Sequence, residues 1–150
     1  MHDAAGRTAK DDLVWIPGGV FRMGSDRHYP EEAPAREVAV DGFWIERAPV
    51  TNRRFAAFVR ATGYRTLAEQ APSAEDYPDA APELLTPGSA VFTPPPFAVD
   101  LRQPAQWWRY VAGACWRRPS GPGSSTRGLE DHPVVHIAPQ DAEAYAAWRG

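Results

Sequence analysis

Short apolar runs separated by prolines and glycines fill the beginning of the chain. Leu13–Ile16 and Val20–Met23 flank a Pro-Gly-Gly sequence, and two apolar runs around a glycine turn predict a β-hairpin. Arg36–Val40 alternates apolar and polar residues, which is typical of a strand. An Asp-Gly turn follows, and Phe43–Ile45 predicts a further short strand.

The pattern then changes to a helical period. Thr51 is placed to cap a helix over Asn52–Thr62, because its hydroxyl can accept a hydrogen bond from an unpaired amide of the first turn. Gly63 suits the left-handed position that ends a helix. Apolar residues at i, i+3 and i+4 predict one buried helix face. These residues are Phe55, Phe58 and Val59.

Long loops and short elements make up the remainder. Leu67–Pro96 is rich in proline, alanine and acidic residues, and within it only Val91–Phe92 predicts a strand. Ser120–Gly128 predicts a loop, and Val134–Ile137 predicts a short buried strand. Asp141–Arg149 predicts a second helix, which we expect to lack a packing partner and to fray. Its apolar face consists of Ala144, Tyr145 and Trp148.

Composition predicts a folded, loop-rich α+β domain. Of the 150 residues 43% are hydrophobic and 16 are proline, about twice the usual ~5%. Prolines confine helices and central strands to short pieces. The net charge of −3 argues against nucleic-acid binding, and no window approaches the ~20 apolar residues that span a bilayer. We therefore expect neither a nucleic-acid nor a membrane partner.

The N-terminus and the cysteine content predict a location. Residues 1–12 are polar, so we expect a flexible tail rather than a signal peptide. Cys115 is the single cysteine, which excludes an internal disulfide and a cysteine-based zinc site. These features predict a soluble cytoplasmic protein.

Three blocks of sequence carry a resemblance to a known family. The first runs from Trp-Ile-Pro-Gly-Gly at residues 15–19 to Pro-Val-Thr-Asn at residues 49–52. The second joins Gly-Ala-Cys-Trp at 113–116 to Asp-His-Pro-Val-Val-His-Ile at 131–137, and the third covers residues 141–148. In this order they resemble the N-terminal half of the formylglycine-generating enzymes, also called sulfatase-modifying factors. Residues 13–150 are therefore expected to form the N-terminal part of such a domain.

The resemblance implies a fold and an activity. The fold is the loop-rich formylglycine-generating-enzyme fold, which is related to C-type-lectin-like folds. Family enzymes use molecular oxygen to oxidise the cysteine of a sulfatase-type Cys-X-Pro-X-Arg peptide to Cα-formylglycine, with copper held by two C-terminal cysteines. A thiolate pair suits Cu(I), and this chain has one cysteine. We therefore expect a fragment that is inactive alone, without a catalytic residue or a cofactor of its own.

Two other functions stay open. The chain is alternatively a non-catalytic module of the same fold that binds a peptide or a small ligand. The other alternative is a relative of the iron-dependent sulfoxide synthases, which share this fold. Their metal-binding histidines lie on a separate helical domain that has no counterpart in this sequence.

Trp107 and Trp108 are the candidate substrate-binding residues. Adjacent residues of an extended chain face opposite ways, so one of the two is expected at a cleft and the other in the core. The family resemblance implies a tryptophan in the substrate-peptide cleft of this region. The sequence does not decide between the two.

Three groups of residues have a structural interpretation that we favour over a chemical one. His132 and His136 are four apart, but Pro133 disfavours the helix that would bring them together on a metal. The acidic loop with Asp26, Glu31 and Glu32 lacks the spacing of a calcium loop. Asp131 and Asp100 are expected to form a polar network that holds loops together.

Cys115 is the remaining candidate. A thiol beside Arg117 and Arg118 can become a nucleophile if its pKa is lowered. We instead expect a small, buried, structural side chain.

Overall fold

The chain divides into two units, Met1–Ala48 and Pro49–Gly150. The computed structural model describes residues 13–75, 77–100, 102 and 104–150. The predicted tail, residues 1–12, lies outside the described residues. Within them, two helices and three pairs of antiparallel strands form a mixed, loop-rich architecture, so the α+β prediction is confirmed.

A long antiparallel ribbon forms the first unit. Strand β1 (Leu13–Ile16) pairs with β4 (Phe43–Glu46), and β2 (Gly19–Met23) pairs with β3 (Arg36–Val40). The register is the same in both pairs, since Ile16 opposes Phe43 and Gly19 opposes Val40. The strands β1 and β2 therefore continue one another along one side of the ribbon.

The predicted hairpin between β1 and β2 is wrong. Pro17 has no amide hydrogen for the ladder, so the sequence between the two strands interrupts pairing instead of reversing the chain. A β-carbon at Gly18 would lie 2.9 Å from both the Gly42 nitrogen and the Val40 carbonyl oxygen. Glycine is therefore needed for the close approach of the two sides, and not for a turn.

The acidic loop between β2 and β3 is organised by one carboxylate. Asp26 Oδ1 accepts a hydrogen bond from the Ala35 amide at 3.0 Å, and its Oδ2 lies 3.2 Å from Arg22 Nη2. Pro30–Glu32 forms a single 3₁₀ turn within this loop. The structure therefore gives Asp26 a role in holding the loop.

Helix α1 (Asn52–Thr62) begins and ends where the sequence predicts. The Thr51 hydroxyl accepts from the Arg54 amide at 3.4 Å, and Gly63 takes a left-handed φ of 69°. Both caps and the predicted apolar face are confirmed. Its buried apolar residues are Phe55, Phe58 and Val59.

A distant loop completes the N-terminus of α1. The Asn52 amide donates to the His132 carbonyl at 3.0 Å, and the Arg53 amide donates to the Glu130 carbonyl at 2.9 Å. The Arg53 guanidinium also pairs with Asp131, with Nε–Oδ1 and Nη2–Oδ2 distances of 3.0 and 3.1 Å. These contacts satisfy amides that a helix leaves unpaired at its start.

Helix α2 (Pro139–Arg149) starts two residues before the predicted position, with proline at its first turn. Tyr145 is buried, stacks on Phe55 at 6.0 Å and meets Phe58 edge-on at 5.7 Å between ring centroids. Trp116 packs against the same cluster, 5.2 Å from Phe55. The expectation that α2 lacks a partner is wrong, because α1 presents the aromatic face on which it packs.

Strand β5 (Gly88–Phe92) pairs with β6 (Trp108–Ala112) in the second unit. The prediction of a strand at Val91–Phe92 is confirmed and extended. The predicted strand at Val134–Ile137 is wrong, because this segment is irregular. Its described backbone bonds include one from the Val134 amide to the Val50 carbonyl at 2.9 Å, and the chain turns at His136, whose φ is 59°.

Candidate functional site

A cleft of about 1200 Å³ opens in the second unit. It is lined by a segment that follows α1, the strand pair β5–β6, Pro119, and the segment that leads into the first turn of α2. The described lining contains no aspartate, glutamate, lysine or arginine. The lining residues are Leu67, Ala68, residues 70–73, Tyr77, residues 88–92, Trp108, Tyr110, Pro119, residues 135–138 and Gln140.

Strand pairing builds the aromatic wall of the cleft. Phe92 lies directly opposite Trp108, and Ala90 lies opposite Tyr110, so these side chains share one sheet face. The Phe92 and Trp108 rings meet edge-on with centroids 5.7 Å apart, and they are 54% and 49% exposed. Two large apolar rings left open to a concave surface are suited to contact with a ligand.

Tyr110 is fixed on this wall. Its hydroxyl donates to the Thr86 carbonyl at 2.5 Å. Burial raises the pKa of Tyr110 above its usual value, so the phenol stays neutral at physiological pH. The wall therefore presents neutral rings.

The buried carboxylate of Asp141 joins two of the segments that line the cleft. Asp141 is fully buried, and its Oδ1 accepts from the Leu67 amide at 3.1 Å and from the Tyr64 hydroxyl at 3.0 Å. Its Oδ2 accepts from the Ala138 amide at 2.9 Å. Leu67 and Ala138 belong to different segments of the lining, so this side chain fastens the two segments to each other.

Tyr64 contributes to the same link. The pKa of Tyr64 is raised, and burial is the larger cause. The hydrogen bond to Asp141 raises it further, because ionisation would place a second negative charge beside the carboxylate. Neither residue was predicted from the sequence to contribute to the site. An aspartate in the first turn of a helix that starts with proline was the available signal.

A second carboxylate holds the segment after α1. Glu69 Oε2 accepts from the Thr66 amide at 3.1 Å and from the Thr66 hydroxyl at 3.0 Å. Its Oε1 lies 3.3 Å from Arg117 Nε, and the Arg117 guanidinium packs 4.6 Å from the centroid of the Trp116 ring. The cleft wall is thereby connected to the aromatic core.

The structure separates the two candidate tryptophans. Trp108 lines the cleft, whereas Trp107 ends the 3₁₀ turn Pro104–Trp107 and is not among the described lining residues. The Trp107 carbonyl accepts from the Thr93 amide at 2.8 Å. Of the pair, Trp108 is therefore the residue in a position to meet a ligand in the cleft.

The candidate histidines have different surroundings. His136 Nε2 lies 2.8 Å from the Pro119 carbonyl oxygen, so Nε2 carries the proton and donates. His136 lines the cleft, while His132 is exposed and not part of the lining. Among the residues that the structure describes, no three histidine, cysteine or acidic side chains converge as metal ligands would.

The proposed network of Asp131 and Asp100 is not observed. Asp131 pairs with Arg53, whose guanidinium lowers the pKa of the carboxyl group. Asp100 pairs with Arg102 two residues further on, and its pKa is lowered by that contact. Each is a separate exposed ion pair; that of Asp131 fastens a loop to α1, and that of Asp100 is local.

A family profile that matches almost the whole chain identifies the family. The profile described as "Sulfatase-modifying factor enzyme 1-like domain" matches residues 2–150. The chain belongs to this family. The resemblance seen in the sequence is thereby confirmed.

Named relatives include both active and inactive family members. A formylglycine-generating enzyme from Mycobacterium tuberculosis is 53% identical over 139 residues, which is 93% of this chain and 46% of the relative. The enzyme from Thermomonospora curvata is 45% identical over 92% of this chain and 44% of its own length. The "Inactive C-alpha-formylglycine-generating enzyme 2" of Bos taurus is 41% identical, with 93% and 44% covered. The chain thus spans less than half the length of these sulfatase-modifying factor relatives.

The copper expected in this family does not fit the residues of this chain. The copper site that the family resemblance implies is a pair of thiolates, which are soft ligands that suit Cu(I). Cys115 is the one cysteine of the sequence, and its side chain is 2% exposed beside the buried Trp116. Its backbone forms a tight turn with Arg118, with N–O distances of 3.2 and 2.9 Å. The structural interpretation of Cys115 therefore agrees with its burial.

Neither helix resembles a membrane span. Within the described part of the chain, neither α1 nor α2 is long and apolar enough to cross a bilayer.

Proposed function

We propose that this chain supplies the substrate-binding cleft of a formylglycine-generating oxidase. The substrate is a sulfatase-type Cys-X-Pro-X-Arg peptide, whose cysteine is oxidised to Cα-formylglycine with molecular oxygen. One observation carries the proposal: a member of the sulfatase-modifying factor family has a cleft of about 1200 Å³ with exposed aromatic rings, whose described lining residues carry no formal charge. Such a surface suits an extended peptide better than a small charged metabolite.

Trp108 and Phe92 are assigned to substrate contact. Their exposed rings offer large, rigid apolar area at low entropic cost. Asp141 is assigned a positioning role, since it joins the lining segments that contain Leu67 and Ala138. Trp107 is not assigned to substrate contact.

The oxidation step needs a thiolate pair that this chain does not contain. Its single buried thiol does not make the copper site, so no catalytic residue is assigned. The oxidase activity is proposed for a protein in which a thiolate pair is supplied in addition to this cleft.

A non-catalytic peptide-binding module is the second candidate. It is kept because the chain is about equally similar to two Bos taurus proteins, 41% identical to the inactive family member and 38% identical to the formylglycine-generating enzyme. Identity over this part of the chain therefore does not separate the two functions, and both use the same cleft.

A binding experiment tests the common part of these proposals. A fluorescently labelled Cys-Ala-Pro-Ala-Arg peptide is titrated with the 150-residue chain and followed by anisotropy. Replacing Trp108 by alanine should weaken binding about tenfold, as loss of an aromatic anchor does. Trp44→Ala is the matched control, because Trp44 is 61% exposed on the first unit and does not line the cleft. Equal loss in both variants, or no binding by the unchanged chain, contradicts the proposal.

A further inference from the structure

Strand β5 is an edge strand that borders the cleft. It pairs with β6 on one side, and no other strand of the described chain pairs with it. All five residues of β5, which alternate between the two sheet faces, line the cleft. Contact from both faces is expected when a cleft runs along the open edge of a strand rather than over one face.

Two hydrogen bonds outside the strand pair fix which backbone groups face β6. The Thr93 amide donates to the Trp107 carbonyl at 2.8 Å, and the Gly113 amide donates to the Pro87 carbonyl at 2.7 Å. Antiparallel strands alternate between residues that bond their partner and residues that do not. Residues 87 and 93 both bond β6, and every second residue between them has the same orientation. The backbone amide and carbonyl groups of Ser89 and Val91 therefore face β6.

The intervening residues point the other way. By the same alternation, the amide and carbonyl groups of Gly88, Ala90 and Phe92 are directed to the open edge. The backbone bonds described for this part of the chain include none to these groups. An edge of this kind is a template for a further strand.

We propose that the substrate peptide binds as an added strand along the open edge of β5. This inference rests on the proposed function, because it specifies how the same cleft holds its peptide. Gly88 and Phe92 are four residues apart, a span of about 13 Å in a strand and the length of a five-residue peptide. Main-chain hydrogen bonds provide affinity, and the neighbouring rings of Phe92 and Trp108 contact side chains.

The proline of the peptide fixes its register. Proline has no amide hydrogen, so its position must face away from β5 if no bond is to be lost. The first and fifth positions are each two residues from the proline, so their backbone amides also face away from β5. The two X positions then donate to β5. The residue before a proline also favours extended backbone, as this mode of binding requires.

N-methylation tests the register directly. In Cys-Ala-Pro-Ala-Arg, an N-methyl group on either alanine removes a donor to β5 and should weaken binding roughly tenfold. An N-methyl group on the arginine is the matched control, because that amide faces away from the strand and its methylation should leave the affinity within about twofold of the parent peptide.

Variants of the protein test the same edge. Ala90→Pro removes an amide that faces the cleft without removing a bond to β6, and edge strands tolerate such a proline. It should weaken the parent peptide about tenfold. Ala112→Pro is the matched control and should leave the affinity unchanged, because the Ala112 amide faces away from β5 and this residue does not line the cleft. Denaturation curves establish that both variants fold, and if Ala90→Pro does not, the peptide series on the unchanged chain still decides.

The outcomes distinguish added-strand binding from peptide binding in general. If the parent peptide binds and all N-methyl peptides bind equally, added-strand binding is wrong while the cleft remains a peptide site. If the parent peptide does not bind, the proposed function fails together with this inference.

Discussion

Replacing Asp141 by alanine should destabilise the second unit more than any loss of an exposed charge in this chain. Its carboxylate is fully buried and accepts three hydrogen bonds, from the Tyr64 hydroxyl and the Leu67 and Ala138 amides. Alanine removes the acceptor of the Leu67 and Ala138 amides and leaves the Tyr64 hydroxyl with only its longer contact, 3.5 Å to the Gln140 carbonyl. A hydrogen bond to a charged group contributes about 1.5–3 kcal/mol, but the wild type also bears the desolvation of the carboxylate. We expect a net loss of about 3–5 kcal/mol.

Asparagine should be intermediate at this position. Its oxygen can keep two donors on one side, while its amide group faces the remaining donor and cannot accept from it. The expected cost is about 1–3 kcal/mol. Tyr64→Phe removes one donor and leaves Asp141 with two, so its cost should be about 1 kcal/mol.

Urea denaturation of the four proteins measures these differences, through the midpoint at constant m value. We expect the loss in unfolding free energy to be largest for Asp141→Ala, intermediate for Asp141→Asn and smallest for Tyr64→Phe. An Asp141→Ala protein within about 1 kcal/mol of the wild type would refute the reasoning, because it would mean that the three donors find water or other partners without cost.

Three further outcomes are expected. Phe58→Ala should cost about 3–5 kcal/mol because its ring is 2% exposed, whereas Phe97→Ala, at 73% exposure, should stay within about 0.5 kcal/mol in the same denaturation assay. Because the pKa of Tyr64 is raised, the folded state holds its proton more tightly than the unfolded state; this stability is complete below about pH 10 and is lost as the pH rises further. Unfolding midpoints measured across that range should fall less steeply for Tyr64→Phe. Incubation of the chain with oxygen, copper, reductant and peptide should give no aldehyde by mass spectrometry, since Cys115 cannot supply two thiolates; turnover that Cys115→Ser abolishes would contradict this.

Helix α1 was predictable because its determinants are local. The Thr51 cap, the apolar spacing from Phe55 to Val59 and the left-handed Gly63 all act within one stretch of chain. The strand partners were not predictable in the same way. Strand β1 pairs with β4 and not with β2 because one register continues past the break between β1 and β2. A short apolar sequence carries no information about that register.

The candidate site was predicted in part. Of the two tryptophans, Trp108 lies on the cleft, but the sequence could not choose it because strand β6 begins only at that residue. The buried role of Asp141 depends on donors from residues more than seventy positions away. The segment with His136 was misassigned because a non-glycine residue in the left-handed region breaks an apolar run that otherwise resembles a strand.

The loop that completes the N-terminus of α1 has a consequence for the order of folding during synthesis. The carbonyl groups that receive the Asn52 and Arg53 amides belong to His132 and Glu130, close to eighty residues later in the chain. A ribosome therefore releases the complete sequence of α1 long before it adds the residues that finish the first turn. Until then the start of the helix is held by Thr51 alone, and closing it is a long-range event of the kind that slows folding. The amides of residues 52 and 53 should gain protection from hydrogen exchange together with the 130–134 loop and not with the middle of the helix.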